Sequence, residues 1–372
     1  MRFEDIPGQE TAKAAAMGAV ARGRLSHAVL LVGPEGTGKL AFAAALAQRI
    51  YCTSPQADGD ACGVCDSCRK VAQGGHPDVH YVFPYARSHD AKGSNDEIHI
   101  AFREARIKNP FLTLKQWAAA FDAENKQLVI GVEEARALKR ALGLSAFEGR
   151  GKVAVVWRAD LFNVSAANAL LKLLEEPTDQ TTLILTAENP ADVLPTIYSR
   201  CQKLNFFPVK AEVIARHMEG KGWATADEAQ QAAALSGGSV AKALEILRQA
   251  DEPMLAVFRD WLNVCYKGAW SEIDRWVKGL TDRPREFQKL YLAYGLEKLR
   301  EALWTGLSLP TSAPPQEREL AQKFARMLDV ERIEAGARML EDAFYRIARN
   351  ANAKMTFVIL TLKFHELLRA QR

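Results

Sequence analysis

Between residues 27 and 187 the chain alternates short unbroken apolar runs with longer stretches whose apolar residues recur every three or four positions. The runs are HAVLLVG (27–33), DVHYVF (78–83), QLVIGV (127–132), KVAVVW (152–157) and TTLILTA (181–187). A strand with one solvated face alternates apolar and polar residues, so unbroken runs predict strands covered on both faces. VEEARALKRALGLSAF and FNVSAANALLKLLEE carry helical spacing and lead into the next run. That rhythm predicts an α/β domain with a mostly parallel sheet. Residues 84–126 interrupt it. They are polar at first, then weakly helical, and longer than an ordinary connection, which predicts a surface insertion.

Beyond KLNFFPVK the pattern is helical throughout. Residues 209–249 read as a small helical unit ending in LSGGSVAKALEILRQ. From Pro253 onward, amphipathic stretches place Phe258, Trp261, Leu262, Cys265, Trp276, Leu290 and Leu296 at helical spacing. An aromatic stripe of that kind predicts a helical core rather than a ligand site. SLPTSAPPQE (308–317) breaks the series, and AKMTFVILTLKFHELL closes the bundle. The expected boundaries are 1–208, 209–249 and 250–372, in keeping with a 372-residue chain too long for one core.

Charge alters this picture little. The net charge of +4 is mild and its carriers are spread along the chain, so it does not argue for strong binding to nucleic acid. MRFEDIPGQE has no apolar stretch, and no segment approaches the roughly 20 apolar residues that span a bilayer. The expected location is the cytoplasm, with no membrane partner. Disulfides rarely persist there, and clustered cysteines usually mean metal.

Cys52, Cys62, Cys65 and Cys68 stand in C-x9-C-x2-C-x2-C spacing. Two residues between ligands let a tight turn aim both sulfurs at one ion, and Asp60 and Gly63 suit such turns. Four thiolates close a tetrahedral zinc site with no position for water, which makes the ion structural. An iron–sulfur cluster and four unrelated buried thiols are the other readings. His76 and His80 lie nearby but are not needed as ligands, and Cys201 and Cys265 stand apart.

GPEGTGKL (33–40) follows the first apolar run and precedes the Ala-rich AFAAALAQRI. Up to Lys39 this is a phosphate-binding loop. Amides around Gly36 and Gly38, with the following helix N-terminus, form an anion nest, and Lys39 adds charge. Gly33, Gly36, Thr37, Gly38 and Lys39 are the candidate nucleotide-binding residues, for ATP or ADP. The pattern then asks for Ser or Thr to hold magnesium, and Leu40 stands there. An active site of this layout also needs Asp-Glu at the end of KVAVVW, where Trp157 and Arg158 stand. Asp160 lies beyond them. These three substitutions remove the same chemistry.

FEDIPGQE, the phosphate loop, the cysteine module directly after it, NALLKLLEEP (168–177) and LPTIYSRCQ together resemble the bacterial DNA polymerase III clamp loader. That is an AAA+ family, and the resemblance spans roughly residues 1–248. It implies a P-loop AAA+ domain with a parallel sheet, a small helical lid at 209–249 and an all-α collar at 250–372. The family includes gamma or tau motor subunits with complete ATPase sites and delta-prime subunits with degenerate ones. The Trp157–Arg158 pair puts this chain with the second kind. Arg200, in Ser199-Arg200-Cys201, matches the arginine finger that reaches a neighbouring subunit's nucleotide, with Cys201 as a small buried side chain beside it. The four cysteines match the family's zinc ligands. A sensor arginine of active members would fall near Ala241, beside Lys242.

The partners implied are gamma/tau and delta-type subunits in a hetero-pentamer, which loads the sliding clamp onto primed DNA. The chain would be a stator that does not hydrolyse ATP itself. A gamma-type motor would instead turn over ATP alone. A zinc-dependent nucleic-acid binder would hold DNA alone, with strong salt dependence. The resemblance assigns no role to the insertion.

Overall fold

Four of the apolar runs become strands β1 (Ala28–Val32), β2 (Val79–Val82), β3 (Lys152–Val156) and β4 (Thr181–Ala187), and β5 (Gln202–Asn205) joins them. The computed structural model describes residues 1–86, 95–120, 123, 126–177, 180–249, 254–309 and 315–369. Residues 87–94 of the insertion and 310–314 of the Pro-rich break therefore lie outside the described residues.

The strands form one sheet in the order β2-β3-β4-β1-β5, and every pairing is parallel. β1 and β3 are buried at every position because helices cover both faces. The expected strand at 127–132 is not formed. Val129 and Ile130 make only isolated bridges, to Tyr85 and Phe162, and a helix starts at Val132. Glu133 and Glu134 favour the N-terminus of that helix, so the backbone leaves the extended state there. β5 escapes the apolar pattern because QKLN is a short, largely exposed strand at the sheet edge.

The chain divides into two compact units: Met1–Ile214 with Gly238–Ala241, and Ala215–Gly237 with Lys242–Arg372. The first contains the sheet. Its register pairs Val32 with Ala187 and Val156 with Leu185, so β1, β3 and β4 end side by side. In open parallel sheets this carboxyl edge is where ligands bind.

The second unit is helical. Its core gathers Phe258, Trp261, Tyr291, Tyr294, Phe357 and Phe364, all buried. The Trp261 and Phe364 rings lie 4.6 Å apart, and Trp261 Nε1 donates to Thr361 Oγ1 at 2.9 Å. Gly295 lets helix Arg285–Gly306 pack tightly, since a Cβ there would lie 3.0 Å from Phe258 and 3.1 Å from Leu340. Of the predicted stripe, Phe258, Trp261, Cys265 and Leu290 are core, and Leu262, Trp276 and Leu296 are half-buried. No helix among the described residues is long and apolar enough to cross a membrane.

Candidate functional site

The phosphate loop leaves β1 at Gly33 and enters helix Lys39–Tyr51. Gly36 and Gly38 have φ of 75° and 97°, the left-handed region that glycine enters without steric cost. A Cβ at Gly33 would strike the Phe206 carbonyl. Thr37 Oγ1 donates to the Pro34 carbonyl at 2.8 Å. Lys39 Nζ turns back onto the Gly33 and Pro34 carbonyls at 2.5 and 2.6 Å. Burial lowers the Lys39 ammonium to about 8, against the raising influence of Glu188. The five candidate loop residues therefore come together, with the lysine satisfied by the loop itself. Ala241 N donates to the Gly36 carbonyl at 3.2 Å, so an alanine meets the loop where the family resemblance expects a sensor arginine.

At the end of β3, Trp157 is buried and Arg158 takes left-handed φ of 64°. Its guanidinium donates to Asp160 through Nη2 at 2.8 Å and Nε at 3.0 Å, and to Glu188 through Nη1 at 2.5 Å. The Arg158 and Asp160 side chains are only 11% and 4% exposed. Burial raises the Glu188 carboxyl, and Arg158 opposes that rise. Asp160, the first carboxylate in sequence after the Trp157–Arg158 pair, is thus committed to an internal cation.

The insertion supplies what the sequence reading missed. Its turn Pro110–Leu112 lines the same cavity as Gly36, Gly38, Lys39, Leu40, Trp157 and Arg158. The free space there is about 20 Å³, room for roughly one water. Ligand pockets are typically about 300 Å³ or more. A Cβ at Gly38 would lie 3.3 Å from the Phe111 ring, so the ring rests against the loop. Leu114 N donates to Glu35 Oε1 at 2.9 Å. The signal available in the sequence was NPFLT, an apolar turn within a polar insertion.

Arg200 ends helix Pro195–Arg200 at the surface. Its Nη2 pairs with Glu175 Oε1 at 2.8 Å, and Nη1 donates to the Thr196 carbonyl at 3.0 Å. Both side chains of the pair are more than a third exposed, and such pairs contribute about 0–1 kcal/mol, so the arginine is held lightly. Cys201 is buried, and burial pushes its thiol up to about 11.

The sulfurs of Cys52, Cys62, Cys65 and Cys68 lie within 4.8 Å of one another. Cys62 and Cys68 Sγ are 3.9 Å apart. Metal–sulfur bonds of about 2.3 Å in a tetrahedron imply sulfurs about 3.8 Å apart. Cys62 N points at Cys52 Sγ at 3.3 Å and Cys65 N at Cys62 Sγ at 3.4 Å. Backbone hydrogen bonds, those from Cys65 and Val64 first, lower the Cys62 thiol. Burial raises Cys65, but hydrogen bonds from Thr53 and Cys68 outweigh it and bring the thiol to about 6. Amides aimed at sulfur favour the thiolate, so the donor set fits a metal ion. His76 faces Glu148 instead, Nε2 to Oε2 at 3.2 Å, and the group forms without either histidine.

Glu148 also ties this module to the sheet. Its carboxylate accepts from Lys70 at 2.7 Å and Ser67 at 2.8 Å, while Asp78 accepts from the Phe147 and Glu148 amides. The Lys70 hydrogen bond, first among the causes, holds the Glu148 carboxyl down to about 2. A carboxyl depressed in the folded state contributes stability above its unfolded value of about 4.3 and loses it as pH falls toward the folded value. The gap in melting temperature between the parent chain and Glu148→Gln should therefore be widest near neutral pH. It should close between about pH 4 and about pH 2, and a gap that persists in acid would assign the effect to packing.

A glycine-rich loop between a central parallel strand and a helix, with one strand inserted between β1 and β3, defines a P-loop domain of the AAA+ class. Residues 8–210 match the family described as DNA polymerase III, delta subunit, and the chain belongs to that family. Within it, the chain is similar to the delta' subunits of DNA polymerase III. DNA polymerase III subunit delta' of Pseudomonas aeruginosa is 34% identical over 222 residues, 59% of this chain and 55% of that one. Subunit delta' of Bacillus subtilis is 30% identical over 195 residues, 52% of this chain and 46% of the relative. Subunit tau of Bacillus subtilis is 27% identical over 217 residues, 58% of this chain and 31% of the relative. The chain spans about half the length of the delta' relatives it matches.

Proposed function

We propose that this chain is a non-hydrolysing subunit of a DNA polymerase III clamp loader and completes a neighbouring subunit's ATPase site with Arg200. The observation that carries the reading is the contrast between two ends of one domain. Leu40, Trp157 and Arg158 occupy the positions that magnesium and water chemistry need, while Arg200 stands exposed and lightly paired. An arginine supplied in trans stabilises charge on the transferring phosphoryl group, and Arg200 is offered once it leaves Glu175 and the Thr196 carbonyl.

The partners in this reading are gamma/tau and delta-type subunits of a hetero-pentamer, acting with the sliding clamp on primed DNA. The 209–249 segment serves as lid and 250–372 as collar. The four cysteines hold zinc, which completes the fold of the 52–68 module and takes no part in catalysis.

Arg200→Ala in a reconstituted loader should leave this chain's melting temperature unchanged. It should lower DNA-stimulated ATP turnover at the site it completes by on the order of a thousandfold. Unchanged turnover would remove the finger assignment. ATP hydrolysis by the isolated chain with magnesium would favour a motor subunit instead.

A further inference from the structure

We propose that the Pro110–Leu112 turn is a built-in plug that fills this chain's own nucleotide pocket, with Leu40 and Trp157 as its apolar seat. The inference goes beyond the role of Arg200 and does not rest on it.

Three sets of contacts hold the turn in place. Phe111 and Leu112 are buried although they lie in a polar insertion, and they line the cavity with Leu40, Gly38 and Lys39. The flanking helices are fastened to the sheet. Phe102, from helix Asn95–Lys108, stacks on Phe83 at 3.9 Å and lies 5.5 Å from the Trp157 ring. Trp117, from helix Leu114–Ala119, packs edge-on against Phe102 at 5.1 Å and donates to the Pro84 carbonyl at 2.8 Å. The third contact is the latch from Leu114 N to Glu35 in the phosphate loop itself.

This arrangement gives the substitutions a common physical sense. A magnesium-binding hydroxyl at position 40 or a carboxylate at 157 would line a cavity shared with the buried Phe111 and Leu112 side chains, at a cost of desolvation. Leucine and tryptophan bury apolar surface against the insertion instead. Lys39 is satisfied by the Gly33 and Pro34 carbonyls. Arg158 is neutralised by Asp160 and Glu188, so it offers little free charge to an anion. A nucleotide could enter only by displacing Phe111.

The test uses the full chain, with ATP and ADP, each with magnesium, titrated calorimetrically. The parent chain should show no saturable binding up to millimolar nucleotide. Phe111→Ala should bind at least tenfold more tightly than the parent, and adding Lys39→Ala should abolish the gain. Hydrogen exchange at the amides of residues 35–40 should quicken in Phe111→Ala without nucleotide.

Leu114→Pro provides a second route if Phe111→Ala folds poorly. It deletes the latch amide, at the first helical position, where proline is tolerated. Thr113 before it is already extended, at φ −97° and ψ 160°, as a residue preceding proline must be. Leu114→Pro should show the same changes in smaller measure. Micromolar binding by the parent chain would overturn the plug. So would a folded Phe111→Ala that binds no better, whether or not its loop exchanges faster, because the pocket would then be closed by other groups.

Discussion

Removing metal from the purified chain with a chelator should loosen residues 52–72 and lower its stability by on the order of 4 kcal/mol, if metal stands about a thousandfold above its dissociation constant. The direction follows from the donor set. Burial of Cys68 pushes its thiol well up, so its anion is costly without a cation beside it. Cys62 and Cys65 are already lowered by backbone amides, so part of the site is prepared for a metal. Three readings separate cleanly in this experiment. One equivalent of zinc by elemental analysis, with exchange rising only around the module, supports the closed four-thiolate site. Iron with visible absorbance would mean a cluster. No metal, and no response to chelator, would leave four buried thiols and sink the zinc assignment. Cys68→Ala should reproduce the chelated state even in excess zinc, since three ligands leave the site open.

Arg158→Met should destabilise the chain by about 3–5 kcal/mol, the usual cost of removing one partner from a buried ion pair. The loss comes less from the missing attraction than from what remains. Asp160 would stay buried with its cation gone, and Glu188 would lose the charge that opposes its rise. Asp160→Asn in the same chain should recover part of the loss, and a double-mutant cycle in urea measures the coupling. A loss below about 1 kcal/mol would place the group among solvated surface pairs. Nucleotide affinity is a separate readout. The plug predicts that Arg158→Met alone opens nothing, because Phe111 stays seated.

Much of the first unit is legible in the amino-acid sequence. Runs such as HAVLLVG and TTLILTA are non-alternating, short and rich in β-branched residues, which fits strands covered on both faces. The cysteine spacing and the loop glycines are local chemistry, and local chemistry survives translation into sequence. QLVIGV misled because a short apolar run cannot by itself distinguish a strand from bridges leading into a helix. QKLN was missed for the converse reason, as an edge strand without an apolar face.

The residues therefore determined by themselves the strand–loop–helix of the phosphate site, the four-cysteine group, the absent hydroxyl and acidic pair, and the helical second half. The tertiary structure alone decided what fills the space those substitutions leave. Phe111 meets Gly38 across more than seventy positions of chain, and Phe102 meets Trp157 across more than fifty. Contacts of that range depend on how the insertion returns over the sheet edge, and no local period encodes it. Leu40 reads in sequence as a lost magnesium ligand, and in the folded protein as one wall of an occupied pocket.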